Sequence, residues 1–414
     1  MTQRTPQGKA VLAAVMIGST LATSAACTAN TESVQERRPK QQSERQPDGT
    51  RHGNRDVPPP APSAAGGGQH AQRAFTLVAS GDVLPHSSII QRANTDAGGD
   101  GYDFVPMFKG IRPVVSKADL AICHMETVYG ENGDYTGYPS FKSPPQIARA
   151  LKVTGYDSCS TASNHTLDDG AAGVRRTLGA LDKAGVKHAG SGRTAAEGRS
   201  PAWLRAGGAK VAQLAYTYGT NGYPQPKGRP WTVNLMERGR IIADARAARK
   251  AGADVVVVSA HWGTEWQDAP DRRQLSLGKQ LTASRTQGRP DIDLIVGTHA
   301  HVPQAYEKVN KTWVVYGMGD QIAGDMINHA GENDPRGNQG TLGRFTFAPP
   351  AAPGGRWEVK KAEFIPQWFN TRTGRVTNLN AALARGADVA DIRDRIRRIV
   401  LSRGAGKTGL VMGQ

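Results

Sequence analysis

Two histidines separated by one residue, His299 and His301, directly follow an apolar run at residues 292–296. His261 follows a run of four valines in the same way, and Glu265 comes four residues later. Neutral imidazole is a common metal ligand, and two imidazoles on one turn can reach two adjacent ions, or one ion and a substrate oxygen. We therefore predict a metal site, with Glu265 orienting His261 or contacting substrate. Two solvent-facing loop histidines are the alternative.

Oxygen ligands follow other apolar runs. Asp82 and Glu126 each come shortly after such a run, and Asn164 follows another. The Asn164 amide oxygen can complete a metal shell where a further carboxylate would add excess negative charge, and His165 beside it can protonate a leaving oxygen. Asn164 and Asp168 would also suit the N-cap of the helix predicted after them, and both roles are compatible.

A mixed shell of oxygen and nitrogen ligands without thiolate suits Mn, Fe, Zn or Mg. Two such ions about 3.5–4 Å apart would clamp the attacking and leaving oxygens of a phosphoryl ester. The predicted cofactors are accordingly two divalent metal ions, and the predicted ligands are Asp82, Glu126, Asn164, His261, His299 and His301. The candidate catalytic residues are His165, Asp168 and Glu265.

Short apolar segments alternate along the chain with helix-like segments. The predicted strands are residues 75–80, 118–123, 157–161, 210–216, 254–260, 292–296 and 312–316, and the predicted helices include 144–154, 171–184, 235–251 and 272–284. Near-continuous apolar strands between helices indicate an α/β fold with largely buried sheets. Ligands gather outside the carboxyl ends of strands in such sheets, so we expect the metal-ligand candidates to converge at one edge.

The N-terminal residues have the pattern of an export signal. Arg4 and Lys9 precede an apolar run at residues 10–22 that is too short to span a bilayer stably. Small residues then precede Cys27, as in a bacterial lipobox, which predicts a diacylglyceryl anchor on that cysteine. We expect an exported protein at the outer face of the cell membrane. Ordinary cleavage, a free Cys27 thiol and secretion form the alternative.

Composition divides the chain into four predicted segments. These are a lipoprotein signal peptide at residues 1–26, a disordered tether at 27–74, one folded domain at 75–370 and a basic tail at 371–414. The tether is rich in Gln, Arg, Glu, Pro and Gly and has almost no large apolar residues, so it cannot bury enough surface to fold.

The formal net charge of +16 favours anionic partners. Phosphate-rich wall polymers, phospholipid headgroups and acidic polypeptides fit this charge, and a generally solvated basic surface fits it equally. Export and the lack of a basic-aromatic recognition pattern argue against nucleic acid as a partner.

Cys123 and Cys159, near the ends of predicted strands, either pair outside the reducing cytosol or are small buried apolar side chains.

Five motifs in order resemble the CapA family of capsule and poly-γ-glutamate biosynthesis proteins, which is similar in fold to calcineurin-like metallophosphoesterases. The resemblance covers roughly residues 75–347. Five ordered motifs are far more specific than any one of them. The motifs are Gly81-Asp82, Met125-Glu126-Thr127, Ser163-Asn164-His165-Thr166-Leu167-Asp168, His261-Trp262-Gly263-Thr264-Glu265 and Gly297-Thr298-His299-Ala300-His301.

The resemblance implies a four-layer α/β sandwich of two mixed β-sheets flanked by helices. It also implies that one metal is held by Asp82, Glu126 and His301, that the other is held by Glu126, Asn164, His261 and His299, and that His165 is an acid. Lys142 lies in a segment that resembles a family segment with a basic residue, which makes it a candidate for binding a substrate carboxylate or phosphate. A solvated lysine is the alternative there.

Two positions depart from the family pattern. His124-Met125-Glu126 stands where relatives often have Asn-Leu-Glu, and Met318-Gly319-Asp320 stands where they have a Leu-Gly-Asn turn. Either change could alter the choice of metal or the anion site.

The function implied by the resemblance is that of a cell-envelope lipoprotein. Such a protein would support synthesis, release or anchoring of an anionic polymer, alongside polymer-synthesis machinery, through a dimetal phosphoesterase-like site. The alternatives are an extracellular metal-dependent phosphoesterase and a non-catalytic polyanion-binding scaffold. Metal content separates the scaffold from the other two.

Overall fold

The structure is a computed structural model that describes residues 72–352 and 355–414. The predicted signal peptide, Cys27 and nearly all of the predicted tether lie outside the described residues. In the part of the chain that is described, no helix combines the length and the apolar character needed to cross a membrane.

The described residues form the following elements. The strands are β1 (Phe75–Leu84), β2 (Leu120–Met125), β3 (Val128–Tyr129), β4 (Lys142–Ser143), β5 (Ser158–Ser160), β6 (Lys187–Ala189), β7 (Ala202–Ala206), β8 (Ala209–Thr217), β9 (Val255–His261), β10 (Arg285–Thr286), β11 (Arg289–Pro290), β12 (Leu294–Thr298), β13 (Tyr306–Val309), β14 (Thr312–Val315), β15 (Asp320–Ala323), β16 (Gln339–Ala348), β17 (Glu358–Asn370), β18 (Arg375–Asn378) and β19 (Leu410–Met412). The helices are α1 (Ser87–Asp96), α2 (Arg112–Val115), α3 (Gln146–Thr154), α4 (Gly170–Ala184), α5 (Ala195–Arg199), α6 (Arg238–Lys250), α7 (Arg272–Ala283), α8 (Leu379–Leu383) and α9 (Ala390–Val400).

Two large mixed sheets contain all seven strands predicted from the sequence. The first has the order β18-β17-β16-β1-β2-β5-β6, with β15 added beside β1 and β19 beside β17. The second has the order β13-β14-β12-β9-β8-β7. Strands β1, β2, β5 and β6 run parallel in the first sheet, and β8, β9, β12 and β14 run parallel in the second. Antiparallel strands complete both sheets.

The alternation of side chains along each strand explains how the layers stack. Leu77 of β1 and Val257 of β9 point into one core that the two sheets share. Their neighbours point the other way, so that Val78 packs beneath helices α1, α3 and α4, and Val256 packs beneath α6 and α7. The layers are therefore helix, sheet, sheet and helix, which confirms the predicted four-layer α/β sandwich.

The predicted basic tail is wrong for residues 371–414, because this segment folds onto the first sheet. Strands β18 and β19 both pair along the edge of β17 that β16 leaves free, β18 antiparallel at residues 367–370 and β19 parallel at residues 362–364. Helix α9 turns Ile396 and Val400 into the shared core. Burial of these apolar side chains stabilises the segment despite its many arginines.

A disulfide joins Cys123 and Cys159, whose Cα atoms lie 4.4 Å apart. The two residues are register partners on the parallel neighbours β2 and β5. The sequence left open whether the two cysteines pair or remain as buried free thiols, and in the structure they pair.

Candidate metal centre

Strand ends bring the six predicted metal ligands together. Asp82 lies near the end of β1, Glu126 directly after β2 and Asn164 just beyond β5, all on parallel neighbours of the first sheet. His261 ends β9, and His299 directly follows its parallel neighbour β12 in the second sheet. These five side chains and that of His301 are all buried.

The backbone at the paired histidines is left-handed, with φ of 92° at His299 and 58° at His301. A non-glycine residue in such a conformation costs about 1–3 kcal/mol and persists only where surrounding contacts hold it. One such contact is the His299 N–H, which donates to Asp82 Oδ2 at 3.0 Å. Another is the 3.0 Å hydrogen bond between His301 Nδ1 and Asp320 Oδ1.

The described residues include three groups of side chains whose ligand atoms lie within 4.8 Å of one another, close enough to hold a metal ion. The groups share members, so they form one continuous buried cluster. They are Asp82, His124 and His261; Glu126, His299 and His301; and Asp82, His301 and Asp320.

Several polar atoms in the cluster are buried without a hydrogen-bond partner among the described residues. They are Asp82 Oδ1, His124 Nε2, both Glu126 carboxylate oxygens, His299 Nδ1 and Asp320 Oδ2. An unpaired buried polar atom costs about 1–3 kcal/mol of stability, and more if it is charged. Six such atoms in one cluster therefore indicate that a ligand binds there. Carboxylate and imidazole donors facing one another fit a divalent cation.

The carboxylates of the cluster hold their protons unusually tightly when no metal compensates them. Burial, reinforced by the negative charge of Asp320, raises the pKa of Asp82 well above its usual range. Burial, reinforced by Asp82, does the same to the pKa of Glu126. A divalent cation would favour the ionised form of both groups.

Two of the imidazoles are kept neutral. Burial, together with His124, lowers the pKa of His261, and burial, together with His301, lowers the pKa of His299. Neutral imidazole is the metal-binding form. Burial alone would also lower the pKa of His301, but the Asp320, Glu126 and Asp82 carboxylates together outweigh it and raise that pKa.

The side chain of Asn164 lies within the cluster. Its Oδ1 is 2.9 Å from His261 Nε2, and its Nδ2 donates to Asn221 Oδ1 at 3.2 Å. The alternative N-cap role is wrong for Asn164 and for Asp168, because Asp169 occupies the N-cap of α4.

His165 and Asp168 form a dyad beside the cluster. His165 Nδ1 lies 2.7 Å from Asp168 Oδ2, which also accepts the Phe141 N–H at 2.7 Å. The Phe141 ring packs edge-on against the His165 ring, with centroids 4.7 Å apart. These contacts fix the orientation of the imidazole and leave Nε2 as its second proton-exchange site.

Glu265 lies at the mouth of the cluster. One of its oxygens is 3.9 Å from His299 Nε2, and the other is 2.9 Å from Nε2 of the exposed His329. The predicted contact with His261 is replaced by Thr298, whose hydroxyl is 3.0 Å from His261 Nδ1.

The remaining predicted side chains lie near the cluster or outside the described residues. Lys142 is adjacent to Phe141 and forms an ion pair with Asp134. His86, which is not one of the predicted ligands, accepts the Gly324 N–H on Nδ1 at 3.1 Å and belongs to none of the metal-competent groups. Cys27, the predicted lipidation site, is not among the described residues.

Sequence reasoning noted the Met318-Gly319-Asp320 segment but did not assign Asp320 as a ligand, and it missed Tyr218. Asp320 begins β15, where it pairs in register with Asp82 across a parallel ladder. The Gly319-Asp320 step, which repeats the Gly81-Asp82 pattern, was the available signal. The Tyr218 ring packs against His299 with centroids 4.4 Å apart, and no motif pointed to it.

Residues 76–325 match the family described as bacterial capsule synthesis protein PGA_cap. The capsule biosynthesis protein CapA of Bacillus anthracis is 28% identical over 60% of this chain and 59% of its own length. The PGA biosynthesis protein CapA of Bacillus subtilis is 24% identical over 58% of this chain and 61% of its own length. The chain thus spans about three-fifths of each of these relatives.

Solved structures of low sequence identity are also similar. The calcineurin-like phosphoesterase YfkN of Bacillus subtilis is 14% identical with a TM-score of 0.43, covering 79% of this chain and 99% of that one. The NAD nucleotidase NadN of Haemophilus influenzae is 13% identical with a TM-score of 0.42, covering 82% of this chain and 64% of that one.

Proposed function

Because this chain belongs to the bacterial capsule synthesis protein family PGA_cap, we propose that it supports biosynthesis of an anionic polymer of the poly-γ-glutamate type through a dimetal, phosphoesterase-like centre. The two named Bacillus relatives support the pathway, since their names place them in capsule and PGA biosynthesis. The matched part of the chain contains every residue of the proposed centre.

The observation that carries the proposal is the set of unpartnered buried atoms in the metal cluster. Both oxygens of Glu126 are among them, which suits a carboxylate that bridges two ions. Asp82, His301 and Asp320 would hold one ion, with Glu126 between the sites. His261, His299 and Asn164 would hold the other. Divalent ions supply Lewis-acid polarisation of a substrate oxygen in such sites.

Side chains of the chain itself supply the proton chemistry. Asp168 Oδ2 accepts a hydrogen bond from the Nδ1–H of His165 and orients the ring, so that Nε2 is the atom that would exchange a proton with a leaving oxygen. Glu265 lies 3.9 Å from His299, and Lys142 would exchange its Asp134 partner for a substrate carboxylate or phosphate.

We propose further that the protein is exported and attached through Cys27 to the outer face of the cell membrane, where it meets the polymer and the machinery that makes it. The Cys123–Cys159 disulfide supports export, because disulfides persist in oxidising compartments and are rare in the cytosol.

The test combines elemental analysis of the full chain with turnover assays on bis-p-nitrophenyl phosphate and on γ-glutamyl polymer. His299→Ala should lose bound metal and turnover together. His188→Ala is the matched control, since His188 pairs with Asp182 outside the cluster and should leave both unchanged. Equal behaviour of all three proteins, with no metal in any, would contradict the dimetal centre. Turnover of the phosphodiester alone would favour an extracellular phosphoesterase, and polymer binding without metal would favour a scaffold.

A further inference from the structure

A second cavity, of about 460 Å³, lies away from the metal cluster. Its lining includes the side chains of Arg285, Arg289, Lys311, Arg356 and Glu358. We call it the four-cation pocket after its three arginines and one lysine. Its volume falls within the range of about 300–1,000 Å³ that is usual for ligand sites.

The four-cation pocket lies at the opposite end of the second sheet from the metal cluster. Arg289 belongs to β11, which precedes β12, and Lys311 directly precedes β14. The metal cluster instead follows the carboxyl end of β12, where His299 is located. Strands rise about 3.3 Å per residue, so the length of β12 separates the two sites by roughly 15 Å or more.

Tight turns hold two of the cations in place. Arg289 is separated from its hairpin partner by the turn Gln287-Gly288, with φ of 50° and 75°. Lys311 is itself in the turn that links β13 to β14, with φ of 48° at Asn310 and 69° at Lys311. Two-residue turns with both φ values positive match the twist of their strands. The backbone therefore presents these cations in fixed positions.

The carboxylates near the pocket are already engaged by other cations. Arg356 Nε lies 3.3 Å from Asp293 Oδ1, but Asp293 also forms an ion pair with Arg249. Glu358 forms an ion pair with Lys360 at 2.8 Å. The ion pairs among the described residues thus leave the pocket with an excess of positive charge.

One hydrogen-bond donor of Arg289 has no acceptor among the described residues. Its Nη2 donates to the Asp254 carbonyl oxygen at 2.9 Å, but its Nε is buried without a partner among the described residues. Burial, together with the charge of Arg249, lowers the pKa of Arg289. An anion in the pocket would relieve this crowding of positive charge around the Arg289 guanidinium.

We propose that the four-cation pocket binds a segment of a carboxylate-bearing polymer and retains it at a distance from the metal centre. Guanidinium forks pair with carboxylates in bidentate fashion, and several separately fixed cations suit a chain of repeated anions better than one small anion. This inference rests on the proposed function for the identity of the polymer. The pocket itself depends on no metal ligand.

The test measures binding of a fluorescent γ-glutamyl oligomer to the full chain in the presence of a chelator. The double variant Arg285→Gln/Lys311→Gln changes two exposed side chains, so the fold should be preserved. Its dissociation constant should rise roughly five- to thirtyfold, the effect of losing two exposed ion pairs. The control Arg175→Gln/Lys183→Gln removes the same charge from exposed positions of α4, and its affinity should stay within about twofold.

Four results would overturn the proposal. Equal weakening in the control would indicate diffuse attraction by the net charge. Loss of binding in His299→Ala would place the polymer at the metal centre. Stronger, pocket-dependent binding of inorganic polyphosphate would overturn the assignment to carboxylates. No oligomer binding by the unchanged protein, with metal-dependent turnover intact, would overturn the pocket alone. Pocket-dependent binding together with no metal in the elemental analysis of the untreated chain would leave the pocket standing and overturn the dimetal centre.

Discussion

His299 and His301 adopt a backbone conformation that glycine would adopt without strain. Glycine in their place would relieve the backbone but remove both imidazoles. The chain has histidines at both positions, and two contacts hold their strained backbone conformation. Asp82 accepts the His299 N–H, and Asp320 is hydrogen-bonded to His301. Strain of this kind concentrates at sites whose side chains have a chemical task. At the scale of single residues, this supports a ligand role for both histidines.

Asp320→Asn should weaken metal binding by about 10- to 100-fold, because the substitution removes a charge from the cluster and the acceptor that orients His301. Titration of the metal-free chain with Zn²⁺ or Mn²⁺ against a competing chelator measures this change. The matched control is Asp325→Asn, an exposed carboxylate five residues away that should leave the affinity unaltered. Equal affinities for all three proteins would exclude Asp320 from the centre.

Metal affinity should rise with pH until the metal-free protein has lost the protons that a metal must displace. The pKa values of Asp82 and Glu126 are raised by burial, so these carboxyl groups keep protons in the metal-free protein that a metal must displace. The pKa values of His261 and His299 are lowered, so these imidazoles are already neutral and release none. The raised pKa of His301 means that this imidazole also gives up a proton on binding, so the affinity should level off only above the raised pKa values of His301 and the two carboxyl groups.

Calorimetry in two buffers of different ionisation enthalpy counts the protons released on metal binding. The count should fall in Glu126→Gln, which has one fewer titrating carboxyl group. Binding with no proton release at any pH, or affinity that falls as pH rises, would contradict the protonation states assigned to the two carboxyl groups.

At the scale of elements, the apolar runs were sufficient to predict the strands that carry the site. Val255 to Val258 form a buried strand because both faces of the second sheet are covered, and His261 ends that strand as its position after the run predicted. The same logic failed for Asp320. Strand β15 is four residues long and depends on parallel pairing with β1. That contact joins residues more than two hundred positions apart, so the Gly319-Asp320 step alone does not show that Asp320 lies beside Asp82.

The C-terminal segment, residues 371–414, differs from the predicted basic tail for a related reason. Helix α9 is dominated by arginine and aspartate and fully buries only Ile396 and Val400, so its composition resembles that of a solvated tail. Strand β19 has three residues and is stabilised by its ladder with β17. Arg395 adds ion pairs to Asp268, in the loop that follows His261. Each of these contacts is long-range, and the segment becomes ordered through their sum.

Ile396→Ala should lower the free energy of unfolding by about 2–5 kcal/mol, since the side chain is fully buried in the shared core and its removal leaves a cavity. Urea denaturation measures the change. Arg397→Ala, at the next and exposed position of α9, should change the free energy by no more than about 0.5 kcal/mol. An Ile396→Ala protein as stable as the unchanged chain would mean that α9 does not pack on the core.

At the scale of the whole molecule, the two sheets separate two kinds of chemistry. The separation runs along the second sheet: the carboxyl ends of β9 and β12 meet strand ends of the first sheet at the buried metal cluster, and the opposite end of the second sheet carries the four-cation pocket. A polymer longer than the sheet could contact both sites at once, and two linked contacts bind more tightly than either alone. The formal charge of +16 would speed the approach of such a polymer and would also attract anionic lipid.

This attraction to lipid makes membrane retention alone a weak test of the predicted anchor on Cys27, so the experiment must separate charge from acylation. Membranes are washed with about 1 M salt, where the Debye length shortens to about 3 Å and proteins held only by charge are released. A diacylglyceryl group has two chains and should hold the protein through the wash. Mass spectrometry of the mature N-terminal peptide should find an acylated Cys27, while Cys27→Ser should lack the acyl mass and Thr28→Ala should keep it. An unmodified Cys27 in the salt-washed membrane fraction would contradict the anchor, because retention would then come from another part of the chain.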